Sequence, residues 1–545
     1  MFGVLGLEEP IDNTTPATPG VVDTPPEALA RRRRAERALR AATLTNGPNE
    51  LLDFLLPLWA GAALGLSPTE VGVLLAVEMA VSVVARPLAG ILADTRERRS
   101  VAAVGALLYG VSAAGYAVTP GAAGAYAAAM VGGAGGALLW VALRALVGER
   151  LTDDSAAFAR LFSAQETGTW VAFFAGLTLI GPIGYDGVFW ACAAACALAA
   201  GALLSAPRQE RPGGRRGRDG HDVTGLGSVG RRLRPMLVAV VLTMTAEATL
   251  SLLLLLHLQR TFGLDALGVA YVFLPGAIAM SVAAERLHTW VVRFGRRRVL
   301  TYASLASAAF AANLAWAPNP YVIAVLWILS GLAWAAVIPV QQAVITEASG
   351  DRVGRGMGVY ESAGLLGALI GSLLGGALYD TADWTVSCLS IAALLLAGAV
   401  IMPHAVGRVG VTDVPETPAS ATARKPRPDP GPQADPGPGP KPDPDPAPEP
   451  ASGAQGSHPL RQLARRAALF AAVQLALLLL GASWLHDLAT GDFLDVLMRG
   501  SDRDSAVLDA LVTIGKFWTF ALIMDAIWTG VGCVRRGRRR LKGSR

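Results

Sequence analysis

Apolar runs of about 20 residues, the length that spans a hydrocarbon layer, alternate along this chain with short polar blocks. Read for that pattern, the sequence predicts helices at 42–65, 70–93, 101–119, 122–147, 162–183 and 187–206. A second set follows a basic stretch, at 236–258, 267–289, 299–317, 320–345, 357–380 and 383–402. Two further runs, 465–485 and 507–532, lie beyond a proline-rich segment. The pattern divides the chain into a basic, disordered start (1–40), a six-helix unit (41–206), a central loop (207–234) and a second six-helix unit (235–403). A linker (404–460), a two-helix transmembrane hairpin (461–534) and a basic tail (535–545) complete it.

Composition supports a membrane solvent. The chain has 545 residues, 52% of them hydrophobic and only 16% charged, with a mean hydropathy of +0.43. Soluble domains carry roughly 25% charged residues. The arginines orient the helices. RRRRAERALR, the loop with Arg96, Arg98 and Arg99, the 207–234 connection, RFGRRR at 293–298 and the loop with Arg352 and Arg355 all fall on one side. The alternate loops SPTE, TPGAAG, GYDG, APNP and YDTAD hold no Lys or Arg, and Arg260 is the exception. The basic side is expected to be cytoplasmic, with both termini inside. Residues 1–30 carry acids and prolines and lack an apolar core after a basic start, unlike a cleavable signal peptide. The four cysteines show no metal-ligand spacing, and Cys192 and Cys196, one turn apart in an apolar run, read as small apolar filler. No phosphate loop or catalytic triad is present, which argues against an enzyme. The basic tail could face nucleic acid, but beside a span the positive-inside reading explains it.

The two units read as copies. Arg160, Glu166, Tyr185, Asp186 and Trp190 recur as Arg355, Glu361, Tyr379, Asp380 and Trp384, at offsets of 195 or 194. Trp140 and Trp334 share the offset 194, and Glu50, Gly65 and Gly72 pair with Glu247, Gly263 and Gly268 at 197, 198 and 196. At 198, Arg98 and Arg99 fall on Arg296 and Arg297, while Asp94 meets Val292.

The segment GILADTRERRS at 90–100 resembles the signature loop of the major facilitator superfamily, G-x-L-A-D-R-x-G-R-R/K. Gly90, Leu92, Ala93, Asp94, Arg98 and Arg99 match it; Thr95 and Glu97 depart. The resemblance spans about residues 40–403. It implies an all-α polytopic membrane protein: two six-helix bundles related by a pseudo-two-fold axis along the membrane normal, which rock about a central site. Within that frame Asp94 is expected to accept hydrogen bonds from backbone N–H groups at the start of the eleventh helix, near Arg355 to Gly358, with Gly90 permitting close approach. Arg96, Arg98 and Arg99 are expected to pair with Glu149 or Asp153, forming a cytoplasmic latch. A solvated basic loop would explain the arginines but not Asp94. Two patterns of drug/proton antiporters are only partly met: Ala128 stands where the helix-four motif has Arg, and GLTLIGPIG carries the helix-five pattern with altered spacing.

Acids inside spans are costly, about 2.5–3.5 kcal/mol at a helix centre, and so are candidates for function. Glu50 and Asp53 share one face of the first helix; Glu247 opens the equivalent stretch of the seventh, and Glu78 lies in the second. All four are candidates for proton or substrate binding, against a structural reading in which they pair with Asn46, Asn49 or Arg86. Glu166 and Glu361 are expected near the cytoplasmic ends, beside Arg160 and Arg355, as secondary gate residues. Arg144 reads as a snorkelling side chain. GLLGALIGSLLGG at 364–376 offers a close-packing face.

The expected function is a secondary active transporter in a bacterial cytoplasmic membrane, exporting a small metabolite or drug-like compound with proton coupling. It needs no cofactor beyond the proton gradient and no metal. Its partners are the lipid bilayer and an unidentified small molecule, with the hairpin free to dock on another protein or to oligomerise. Uptake, movement of a lipid or amphiphile, and a non-transporting scaffold or sensor signalling through the hairpin are the alternatives. Residues 405–460 include RKPRPDPGPQADPGPGPKPDPDPAPEP, a spacer composition.

Overall fold

The structure is a computed structural model; it describes residues 25–208 and 224–415, except 152 and 265, together with 459–479, 483–485 and isolated positions between 508 and 526. The helices are α1 (Pro25–Ala62), α2 (Pro68–Thr95), α3 (Arg98–Val118), α4 (Ala122–Gly148), α5 (Ala157–Leu204) and α6 (Thr224–Arg260). They continue as α7 (Ala266–Phe294), α8 (Arg296–Leu314), α9 (Pro320–Ser349), α10 (Val353–Thr381), α11 (Trp384–Val409) and α12 (Pro459–Leu479). Among the described residues nine helices are long and apolar enough to cross a membrane by length and composition. α5, at 48 residues, would measure about 72 Å if straight, more than twice a hydrocarbon core of about 30 Å. It breaks at Gly184, whose φ is +68°, and so supplies two spans.

Helix ends follow from local chemistry. Ser67 and Glu70 form a capping box at the start of α2, with Pro68 as its first residue. Asn319 caps α9 by accepting from the Val322 N–H at 3.0 Å. At the repeat-related ends of α1 and α6, Gly65 and Gly263 both adopt φ +64°. The N–H groups of Leu66 and Leu264 reach back to the carbonyls of Ala60 and Leu258 at 3.1 and 3.2 Å, a glycine-dependent stop. Two helices start well before their apolar runs. α1 takes in the RRRRAERALR stretch from Pro25, because Ala38, Ala41 and Ala42 there are fully buried and Arg32 pairs with Glu36 one turn on at 3.1 Å. α6 begins at Thr224, where Leu233 and Met236 are buried.

Helix packing repeats between the halves. α1 lies on α5 as α6 lies on α10, α2 on α4 as α7 on α9, and α3 on α5 as α8 on α11. The glycine face of α10 does what its spacing predicts: Gly367 and Gly371 let α6 approach until Thr245 and Thr249 hydroxyls donate to their carbonyls at 3.2 and 3.0 Å. The loop-proximal ion pairs repeat too. Arg98 meets Glu149 at 2.8 Å, and Arg296 meets Glu347 at 2.5 Å, each partner 198 residues on. Two seams join the bundles, α2 with α10 and α5 with α7.

The apolar cores show where the bundles close. One continuous core, from Ala38 to Val409, crosses both bundles at the arginine-rich end. Toward the opposite end each bundle keeps its own core, around Trp59 and Phe189 in the first and around Leu254 and Phe310 in the second. Of the expected hairpin, α12 and a few positions are described, with Trp518 edge-on to Phe470 at 5.6 Å. Residues 1–24, the linker 416–458, most of the last expected span, Cys533 and the tail 535–545 lie outside the described residues.

Candidate functional site

The contact expected of Asp94 is built from helix-end chemistry. Arg352, the residue before α10, provides no side-chain cap, so the first N–H groups of that helix need an acceptor from elsewhere. Asp94, at the end of α2 in the other bundle, supplies it. Its Oδ1 accepts from the Gly354 N–H at 2.7 Å and its Oδ2 from the Arg355 N–H at 3.0 Å. An anion at a helix N-terminus also meets the positive end of the helix dipole. The backbones touch to allow this: a Cβ on Gly90 would lie 2.6 Å from the Gly354 carbonyl oxygen, and one on Gly358 would lie 2.5 Å from that of Arg86.

The arginines of the loop divide their work differently from expectation. Arg98 spans Asp94 at 3.5 Å and Glu149 at 2.8 Å, so it steadies the Asp94 carboxylate. Arg99 is buried; it pairs with Glu97 at 2.5 Å and donates to the carbonyls of Leu204 and Ala206, tying α3 to the end of α5. Arg96 is exposed, and Asp153 faces Arg31 at 3.6 Å rather than any of the three. The reason is register: the turn at 96–97 rotates Arg99 away from α4 and toward the α5 terminus.

One turn deeper, Glu361 receives two arginines. Arg86 donates to its Oε2 at 2.7 Å and to its carbonyl at 3.0 Å, and the Arg144 Nε stands 3.1 Å from its Oε1. Arg144 also lies over the Trp140 ring, 5.3 Å from its centroid. The expected neighbour, Arg355, is not its partner, because Glu361 points inward from α10 while Arg355 sits at the helix start. Arg144 is thus engaged rather than snorkelling. Neither its role nor that of Arg86 was signalled by spacing; an arginine in mid-span is itself the clue.

This trio floors a central cavity of about 910 Å³, within the range of small-molecule sites. Glu50, Asp53, Glu166, Glu247 and Glu361 line it, against Arg86 and Arg144 as its only cations among the described residues. Repeat mates face the same space: Glu50 with Glu247, and Glu166 with Glu361. Asn49 approaches Glu50 and Asp53 at 3.5 and 3.4 Å. Aromatic rings, including Trp170, Trp327, Trp334 and Phe273, form much of the wall. Glu166, expected as a gate beside Arg160, is instead a wall residue, and Arg160 turns to Asp154 at 2.8 Å. Glu78 lies outside the cavity lining, against Gly132 and Ser112 between α2, α3 and α4. Cys192, Cys196 and Cys388 are buried free thiols, and no metal-holding cluster occurs among the described residues.

Two helical bundles pack around one acid-lined, largely apolar cavity and meet at its arginine-rich end, the architecture of a membrane transporter. The Major Facilitator Superfamily model matches residues 41–290 and 287–543, and the chain belongs to that family. None of the curated proteins matches it at a significant level. Among solved structures, the human organic anion transporter MFSD10 (TETRAN) aligns with TM-score 0.56 at 19% identity, over 68% of this chain and 99% of its own. The E. coli fucose:proton symporter FucP aligns with TM-score 0.57 at 17% identity, over 69% of this chain and 98% of its own. FucP in an outward conformation gives 0.57 at 18%, over 70% and 100%. At such identities these likenesses concern the fold.

Proposed function

We propose that the protein is a secondary active transporter of a bacterial cytoplasmic membrane, with both termini cytoplasmic, which works by alternating access and exports a small metabolite or drug-like compound in exchange for protons. The observation that carries this reading is the cavity wall: Glu50, Glu166 and Glu247 converge from α1, α5 and α6 without a basic partner on that wall. Carboxyls crowded in apolar surroundings exchange protons readily, and these three belong to both bundles, so their protonation can report to both halves of a rocking carrier. The latch at the arginine-rich end supports a state in which the cavity is sealed from the cytoplasm. Opening it would break the Asp94 and Glu361 contacts while the far ends close.

Proteoliposomes with an imposed pH gradient test the reading. A compound that moves against its own gradient, coupled to proton entry, is expected for the native chain. The double variant Glu50→Gln/Glu247→Gln should lose that proton-driven flux while retaining its melting temperature. Uptake would show as flux of the opposite sign. A scaffold would move nothing in either form, and equal proton-driven flux in both forms would remove the acids from the coupling.

A further inference from the structure

We infer that the cavity selects an organic cation, a protonated amine or quaternary centre carried on a flat apolar body, with its charge held among Glu50, Glu166 and Glu247. The inference rests on the transporter reading above and adds the substrate class. Five carboxylates and two guanidiniums line the space, a formal excess of three negative charges when all are ionised. Both guanidiniums are drawn to one carboxylate on the floor, Arg86 at 2.7 Å and Arg144 at 3.1 Å from Glu361, so their charge is set against Glu361 before any other acid. The remaining wall acids have no such neutralisation. Glu166 lies within electrostatic reach of both Glu50 and Glu247, and these come from different helices and different bundles, so a single positive centre between them relieves repulsion across the seam.

A second observation points to the same chemistry. Gln342, only 1% exposed, lines the cavity and keeps its Oε1 without a hydrogen-bond partner, on a lining that also holds unpartnered donors at the Trp170 Nε1 and the Arg144 Nε and Nη1, which an acceptor atom on the substrate's body would meet. A buried, unused acceptor is costly until a donor arrives, and an ammonium N–H is such a donor. The wall completes the fit. Trp170, Trp327 and Trp334 border the space, and the face of an indole attracts a cation within about 6 Å of its centroid. An anion of the same shape would meet the unpaired carboxylates and be repelled, and a neutral sugar would leave the indoles and the charges unmatched.

The full-length protein, purified in detergent, tests this with two probes of nearly equal shape and opposite charge, tetraphenylphosphonium and tetraphenylborate, read by equilibrium dialysis against protein-free micelles. The cation should bind about tenfold or more tightly than the anion, a difference of about 1.4 kcal/mol. Glu166→Gln/Glu247→Gln should weaken the cation about tenfold and leave the anion unchanged or improved. Glu166→Asp/Glu247→Asp, which keeps the charges, should retain most of the affinity and guards against a folding artefact. Equal binding of the two probes, or a cation affinity unmoved by the glutamine pair, overturns the inference, as does no binding of either probe. The outcomes separate from the transport reading: proton-driven flux of a neutral or anionic compound defeats the cation assignment alone. A tightly bound cation in vesicles that show no proton-driven flux defeats the transport reading alone.

Discussion

The two seams between the bundles occupy equivalent places in a duplicated architecture but are closed by different chemistry. At α2 and α10, glycine backbones touch, a carboxylate caps a helix of the other bundle, and Glu361 binds Arg86 at 2.7 Å with side chains only 9% and 12% exposed. At α5 and α7, position 288 carries His where position 90 carries Gly, and Val292 replaces Asp94. That seam is held by apolar contact of Trp170 and Phe174 with Tyr271 and Leu274. Hydroxyl bonds add to it, Ser155 to His288 at 3.0 Å and Ser163 to the Ser281 carbonyl. Arg160 and Glu285 approach only to 3.9 Å and remain half exposed. Directional, charge-assisted bonds have a narrow distance range, whereas apolar surfaces tolerate sliding. The first seam is therefore the more directional contact and the second the more tolerant of small displacements.

That contrast can be broken at its strongest point first. Gly90→Val inserts side-chain atoms against the Gly354 carbonyl, and overpacking of this kind costs about 1–3 kcal/mol. Spin-label distances across the arginine-rich end should then show the latched population falling several-fold or more; an unchanged distance distribution would mean that the seam is not in close contact. Asp94→Ala is the next largest test. It removes both acceptors at the start of α10, and loss of a helix cap costs about 0.5–2 kcal/mol, so the same labels should report a smaller shift toward opening. Hydrogen exchange of the Gly354 and Arg355 amides should accelerate. On the other seam Arg160→Ala should shift the distribution least, by no more than about 0.5 kcal/mol, because a long, exposed pair is screened by water. A larger effect there than at Asp94 would reverse the contrast between the two seams.

How much of this could be read along the chain differs from place to place. The partner of Asp94 came from the resemblance, which put the donors near Arg355 to Gly358; the structure has them at Gly354 and Arg355, on a helix start whose lack of a side-chain cap only the fold shows. Gly65 and Gly263 were legible as repeat mates, and both proved to be left-handed helix stops. The division of labour among Arg96, Arg98 and Arg99 was not, since a single turn residue changes which neighbour each reaches. Nor was the Arg86, Arg144 and Glu361 cluster, whose members are separated by 58 to 275 positions.

Spacing and composition by themselves determined that this chain spans a membrane many times, that its halves are duplicates, and which end carries the arginines. These are properties of periodicity and of one-dimensional charge, and they survive any rotation of a helix about its axis. Only the tertiary structure decided which acids look into the cavity, that Glu78 is turned away from it, and that Glu361 lies between two guanidiniums. In a chain whose helices are apolar on nearly every face, the azimuth of each helix is set by packing against its neighbours, through contacts hundreds of residues apart.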